Sequence, residues 1–555
     1  MSKATAAPGA GDTLTQRQIV TVMVGLMLGM FLASLDQTIV STSIYTIAND
    51  LDGLSLQAWA TTAYLITSTV STPLYGKLSD IFGRRPLYLS AIVIFLAGSV
   101  YAGSVHSMTE LALARGVQGL GAGGLLALAL TIIGDIVSLK DRAKYQGYFM
   151  SVFGISSVLG PVVGGAFAGT SNILGFDGWR WVFFINVPIG LAALVVVFLF
   201  LHLPAKHLKQ KIDYWGAAAI TVAIVPLLLV AEQGRSWGWA STNSFLCYGL
   251  GVVGIAWFLL AEKRAGDYAL IPLRLFSNIT FGLSSLLNFI IGISMFGAIA
   301  MLPMYLQLVK GLTPTEAGLM MITFTVGILF GSITAGRTIS ASGTFRIFPI
   351  MGTGILTAAA LVMGLSLRVD TALWVPGLIA VFFGVGLGFC MQPLTLAMQT
   401  SVPPRDMGVG TSSAAFFRSM GGAVGTAVFI SMLFSLAADK IADGMKAATT
   451  DAAYLAVLKD PAVAADPANA KLYDFFKNGA SNDSLNDTSW LHTANSTLTR
   501  PITEGFAGSI DAVMLTAAVL TGIAFLISLA LPKKKLTDPN ATPPQDNDTL
   551  QVPAH

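Results

Sequence analysis

Fourteen runs of predominantly apolar residues divide this chain of 555 residues, and nothing constrains its fold more tightly. They lie at about 18–45, 57–79, 86–105, 108–137, 145–168, 180–203, 214–232, 243–262, 279–308, 315–335, 346–366, 372–400, 408–437 and 506–531. A helix of about 20 apolar residues covers the hydrocarbon of a bilayer. Only 11% of the residues are charged, against about 25% in a soluble domain, too few to cover a water-facing surface. Mean hydropathy is +0.71. The 57 glycines suit helices packed closely in lipid. The expected fold is all-α and polytopic. The polar first residues lead into a run too long for a secretory leader.

The loops orient the spans. With the N-terminus in the cytoplasm, twenty Lys and Arg fall on the cytoplasmic side, among them Lys77, Arg84, Arg85, Arg142, Arg274 and Arg405. The short outer loops hold four: Arg180, Arg235, Lys310 and Arg368. An excess of cytoplasmic Lys and Arg is the rule for membrane proteins, and an odd number of spans destroys it. Both termini are expected in the cytoplasm, with the protein in the cell (inner or plasma) membrane.

A weak internal repeat with an offset of 265 residues relates Gly119, Gly121 and Gly123 to Gly384, Gly386 and Gly388, and Gly160 to Gly425. It predicts two parallel six-helix bundles, 18–203 and 263–531, around a cavity. Residues 204–262 form a cytoplasmic linker and two inserted helices. Residues 1–17 and 532–555 are cytoplasmic tails, and 438–505 is a long outer loop holding a helical piece near 438–458 or a docked hairpin. This loop gates or is a solvated excursion; the sequence leaves both open.

Composition removes several classes of function. Cys247 and Cys390 lie apart in apolar runs, and the five histidines have no zinc spacing, so neither metal nor cofactor is expected. No Lys is followed by Ser or Thr, so the phosphate-cradling loop of nucleotide-driven pumps is absent. Basic residues spread over many loops argue against nucleic acid. Transport remains, with a receptor or intramembrane enzyme as the distant alternative.

A charge at bilayer depth is costly and usually paired and functional. Asp36 is the one carboxylate well inside a span, roughly 13 Å from the outer end of span 1; Arg115 lies roughly 10 Å from the outer end of span 4. A carboxylate poised between desolvation and a guanidinium can load a proton on one side and release it on the other. Asp36 is read as proton carrier, Arg115 as its modulator and Gln118 as a polar neighbour one turn along; a plain tie between two helices is the alternative. Gln307, Met391, Gln392, Gln399, Phe416 and Phe417 are candidate cavity residues in the second half. Arg418 is the other cation inside a span.

Loop 2–3 reads Gly76-Lys-Leu-Ser-Asp80-Ile-Phe-Gly83-Arg84-Arg85-Pro86. Its glycines allow a tight turn, and Asp80 can bond Arg84 or helix-end amides of a neighbouring span, a conformational latch. The loop resembles the signature of the major facilitator superfamily. Arg115-Gly-Val-Gln118-Gly119-Leu-Gly121 resembles that superfamily's fourth-span motif. Gly154-Ile-Ser-Ser-Val-Leu-Gly160-Pro161-Val-Val-Gly164-Gly165 resembles its antiporter motif, read here as a helix-packing seam that opens as the halves rock, with simple static packing as the alternative. Leu35-Asp36-Gln37-Thr38-Ile39-Val40, Trp179-Arg180-Trp181-Val182-Phe183-Phe184-Ile185-Asn186-Val187-Pro188 and Asp213-Tyr-Trp-Gly216 resemble the fourteen-span drug:H+ antiporter branch. Some relatives carry extra acids in spans 2, 10 and 13; here span 10 has none and span 13 offers Arg418, which argues against export of divalent cations. The second copy of the signature loop, Gly331 to Arg346, has lost its Asp. The resemblance implies a monomeric proton-coupled exporter of small amphipathic or lipophilic compounds. The alternative on the same scaffold is export of a native lipid, siderophore or metabolite.

Overall fold

The computed structural model describes residues 16–51, 56–137, 139–201, 212–478 and 489–533. Most of both expected tails, residues 204–211 of the linker, residues 479–488 of the long loop and the side chain of Pro161 lie outside the described residues.

The first group of helices is α1 (Gln16–Asp50), α2 (Gln57–Phe82), α3 (Arg84–Gly103), α4 (Met108–Ile136), α5 (Leu139–Ala168), α6 (Trp181–Phe184) and α7 (Asn186–Phe200). Next come α8 (Tyr214–Trp237) and α9 (Thr242–Ala265). The second group is α10 (Ile279–Met304), α11 (Pro314–Ser342), α12 (Ile347–Ser366), α13 (Trp374–Ser401) and α14 (Met407–Ala448). After the short α15 (Ala452–Leu458), α16 (Pro461–Ala465) and α17 (Ala470–Asn478), α18 (Ser496–Leu529) completes it.

Twelve helical segments among the described residues are long and apolar enough to cross a membrane. α2 falls short on hydropathy, not length, and α5 contains side chains outside the described residues. α2 packs on α4 and reaches across to α14, while α5 packs on α1 and reaches across to α11. A helix enclosed by other helices need not be apolar all round. Hydroxyls that do not face lipid are tolerated where they bond backbone: in α2, Thr67 donates to the carbonyl of Ala63 and Thr72 to that of Ser68. The lipid-facing helices show the reverse pattern. Phe245, Leu246, Val252, Val253 and Leu260 of α9 are all exposed, a surface that is stable only against hydrocarbon.

The repeat appears as matched contacts. A side chain at Gly119 or Gly123 would strike the backbone of Tyr64 or Ser68 in α2, and one at Gly121 the backbone of Phe95 in α3. A side chain at Gly384 or Gly388 would strike Phe324 or Ile328 in α11, and one at Gly386 Leu356 and Gly352 in α12. Gly160 approaches α1, and Gly425 approaches α10. Each group has its own apolar interior: Leu26, Phe95 and Leu125 in the first, Leu287, Leu356, Phe429 and Phe506 in the second. α8 packs on α9 and touches both α2 and α14.

Several boundaries differ from the sequence reading. Span 6 is broken: Pro188 has no N–H for the Phe184 carbonyl and its ring crowds that carbonyl, so α6 and α7 meet at Ile185. Spans 13 and 14 are longer than expected. α14 runs unbroken for 42 residues, roughly 63 Å against roughly 30 Å of hydrocarbon, and α18 begins ten residues earlier, at Ser496. Beyond the membrane, Tyr454, Leu472, Phe475, Trp490 and Leu491 bury themselves in the second group's core. The described part of this segment is thus a docked cap: apolar side chains along short helices pay for its ordering.

Candidate functional site

Asp36 lies in the middle of α1, fourteen residues before the helix ends at Asp50, or roughly 21 Å. The helix end lies farther from Asp36 than the sequence implied, because α1 extends past residue 45. Arg115 projects from α4, and its Nη1 lies 2.5 Å from Asp36 Oδ2. Asp36 is 0% and Arg115 1% exposed, so the pair is closed off from water in this conformation. Their neighbours come from every side of the first group. Gln118 Nε2 donates to Asp36 Oδ1 at 2.8 Å, and Asn186 Nδ2 donates to the same oxygen at 2.8 Å. Both amides also donate to Ser99 Oγ, at 3.0 and 2.8 Å. Arg115 donates further to Gln118 Oε1 at 2.6 Å and, through Nε, to the Ala60 carbonyl at 3.3 Å. Its guanidinium sits 4.2 Å from the centre of the Tyr64 ring, a cation over an aromatic face. Asn186 Oδ1 is buried without a partner.

Asn186 was named only inside a motif with no role of its own, and Ser99 and Tyr64 were not singled out from the sequence. The helix break places the first two: the Ser99 hydroxyl donates to the Phe183 carbonyl at 3.1 Å, and Asn186 opens α7 beside it. A polar residue two positions before a proline inside an apolar run was the available signal. The rest of that motif fastens the opposite end of the group. Trp179 Nε1 donates to Asp50 at 2.7 Å, and Arg180 Nη1 donates to the Gly103 and Val105 carbonyls at 3.1 and 2.8 Å.

At the end rich in Lys and Arg, loop 2–3 joins the two groups. Gly83, at φ 93°, takes a conformation that a side chain would strain. Arg84 lies 2.5 Å from Asp80 and 2.7 Å from Asp135. Asp80 Oδ1 accepts from Gly408 N at 3.2 Å and Oδ2 from Val409 N at 3.3 Å. These are the first amides of α14, where orphan donors and the helix dipole favour a carboxylate. Gly76 lets the backbones meet, since a side chain there would strike Ser412 and the Gly408 carbonyl. Arg85 turns outward and donates to the Phe198 carbonyl at 2.6 Å.

The antiporter-like segment divides its contacts. Gly154 faces Thr325 of α11, across the seam. Gly160 and Gly164 instead face Thr38, Ile39 and Ser43 of α1, within one group. Thr38 donates to the Ser156 carbonyl and Ser43 to the Gly164 carbonyl, each at 3.0 Å. The seam between groups is therefore lined by Gly154 and not by the Gly160–Gly164 pair. A side chain at Gly165 would meet open space.

The candidate cavity residues do not gather in one place. Gln392 Nε2 donates to the Gln146 carbonyl at 2.9 Å, and Gln399 Oε1 accepts from Gln146 at 3.4 Å, so these two join the seam between α5 and α13. Gln307 lies in a π turn at the far end of α10. Met391 belongs to the second group's apolar core, and Phe416 and Phe417 to a cluster with α8. Facing around a helix decides this, and the sequence leaves facing undetermined where apolar residues surround the helix.

The family model described as Major Facilitator Superfamily matches residues 26–426. The chain is 38% identical over 408 residues to the multidrug transporter protein MdtP of Bacillus subtilis, covering 73% of each chain. It is 33% identical over 445 residues to multidrug resistance protein 3 of the same species, covering 78% of this chain and 84% of that protein. Among solved structures, the proton:xylose symporter XylE superposes with a TM-score of 0.58 at 16% identity over 95% of this chain and 98% of that one, which is a likeness of fold. A family model spanning most of the chain, and relatives sharing a third of its residues over most of their length, place this protein in the Major Facilitator Superfamily.

Proposed function

We propose that this multi-pass membrane protein is a proton-coupled exporter of small amphipathic compounds, a multidrug efflux transporter of the cell membrane. The relatives named for multidrug transport and for tetracycline resistance support the substrate class. In this reading α2 and α5 also cross the bilayer. That gives fourteen spans in two six-helix halves with α8 and α9 inserted, both termini in the cytoplasm and the basic face inside. The functional unit is a monomer without a cofactor.

The buried Asp36–Arg115 pair carries the coupling. Every contact to the Asp36 carboxylate comes from a donor. A proton arriving there needs an acceptor, and Asn186 Oδ1 stands beside it unpartnered. Rotating that amide exchanges a donor for an acceptor at Asp36. Arg115 loses its counter-ion but keeps Gln118 Oε1 and the Ala60 carbonyl. Protonation thus switches the contacts that bind α1 to α4 and α7, and α1 is the helix on which Gly160 and Gly164 of α5 rest. Asp80, bonded to the start of α14, holds the basic face closed until that rearrangement reaches the seam.

Everted vesicles test the reading. Native protein accumulates a lipophilic cationic dye when a proton gradient is imposed and loses it when the gradient is collapsed. Asp36→Asn abolishes gradient-driven accumulation. Export that persists without a gradient, or in Asp36→Asn, would remove proton coupling or the residue assignment respectively.

A further inference from the structure

Of the two cations deep in the helices, one is neutralised and one is not. Arg115 is paired with Asp36. Arg418 makes no hydrogen bond and no ion pair among the described residues. It stands eleven residues into α14, from 407 to 418, which is roughly 16 Å from that helix's start. With roughly 30 Å of hydrocarbon, that is mid-membrane, too deep for the head to snorkel to an interface.

Its position on the helix excludes lipid as its surroundings. Thr411, Ala415, Gly422 and Gly425 share its stripe at spacings of three, four and seven, and all are buried. Thr411 accepts from Gln399 of α13, Gly422 meets Phe296 of α10 and Gly425 meets Ile293 of α10. On an inward stripe, Arg418 nonetheless keeps part of its surface accessible. The Arg418 backbone abuts Gly292. α10 and α14 both start at the basic face, and helical side chains lean toward the N-terminus. That direction along α10 holds Asn288 and Ser284, one and two turns below Gly292. There Ser284 Oγ and Asn288 Oδ1 are buried without partners. A fork of cationic donors, a hydroxyl donor and an amide acceptor make a half-built polar site.

An unpaired cation at this depth is stabilised by an anion that comes with its own apolar body. We infer that Arg418 is the recognition group for an acidic head, a carboxylate or similar oxyanion, on amphipathic substrates of this transporter, with Ser284 donating to the same head. Arg pairs bidentately with such groups. The inference deepens the efflux reading and rests on it for the word substrate.

Binding and transport are read separately, with dansyl-undecanoic acid and its methyl ester as probes. For the purified full chain in nanodiscs, fluorescence titration gives about tenfold tighter binding of the acid than of the ester, the worth of a charge-assisted hydrogen bond. Arg418→Gln removes that preference, and Arg418→Lys retains most of it. Equal affinity for acid and ester in the native protein overturns the inference without any variant, and so does a preference that survives Arg418→Gln. Everted vesicles then show gradient-driven export of the acid. If the binding preference is present but neither probe is exported, the efflux reading fails and the anion site stands.

Discussion

At the residue scale, the centre of this protein is a buried carboxylate with three donor contacts from two neighbouring helices. Asp36 and Arg115 were legible in the sequence because a charge inside an apolar run is expensive enough to stand out. Ser99 and Asn186 were not, because neutral polar residues occur throughout these spans and only the fold shows which converge. Removing one member of a buried pair leaves an uncompensated charge, at a cost of about 3–5 kcal/mol. Arg115→Ala is therefore expected to lower stability in detergent by about that amount, while Asp36→Asn combined with Arg115→Ala recovers a large part of the loss. Thermal unfolding of the single and double variants checks this. Equal loss in the single and double variants would show that packing, not charge, ties the helices there.

At the element scale, the notable contact is a loop acting at a distance in sequence. Asp80, at the end of α2, caps the first amides of α14, more than three hundred residues away. The loop itself was readable from its glycines and charges, but its partner was not, since any helix start offers the same donors. Gly76→Val places a branched side chain against Ser412 and the Gly408 carbonyl. Overpacking of this kind costs about 1–3 kcal/mol and so shifts the balance toward the parted form about fivefold or more. A cysteine at Ser412 should then label faster with a membrane-impermeant maleimide applied from the basic face, while export slows; unchanged labelling would mean that this contact is not the closure. The antiporter-like glycines teach the complementary lesson. Their four-residue spacing fixed that Gly160 and Gly164 share a face, yet which helix that face meets, α1 and not α11, depends on how α5 is rotated.

At the scale of the whole molecule, two helical groups enclose a seam, an inserted pair leans on that seam through α8, and a cap sits on the second group. The cap is held by Trp490 against Phe475, with ring centres 5.5 Å apart, and by Tyr454, Leu472 and Leu491 in the same core. Trp490→Ala is expected to cost about 3 kcal/mol or more, seen as a lowered Tm of the purified protein; an unchanged Tm would mean that the cap is loosely attached. The sequence by itself determined that the chain lives in a membrane, roughly where its helices run, and that it repeats, because hydropathy, loop charge and glycine spacing are local or periodic properties that survive without neighbours. Only the tertiary structure decided which polar groups meet Asp36, which helix each glycine admits and that Arg418 is left without a counter-charge among the described residues. Those facts depend on rotation about helix axes and on contacts hundreds of residues apart, and an apolar helix carries little in its own sequence to fix either.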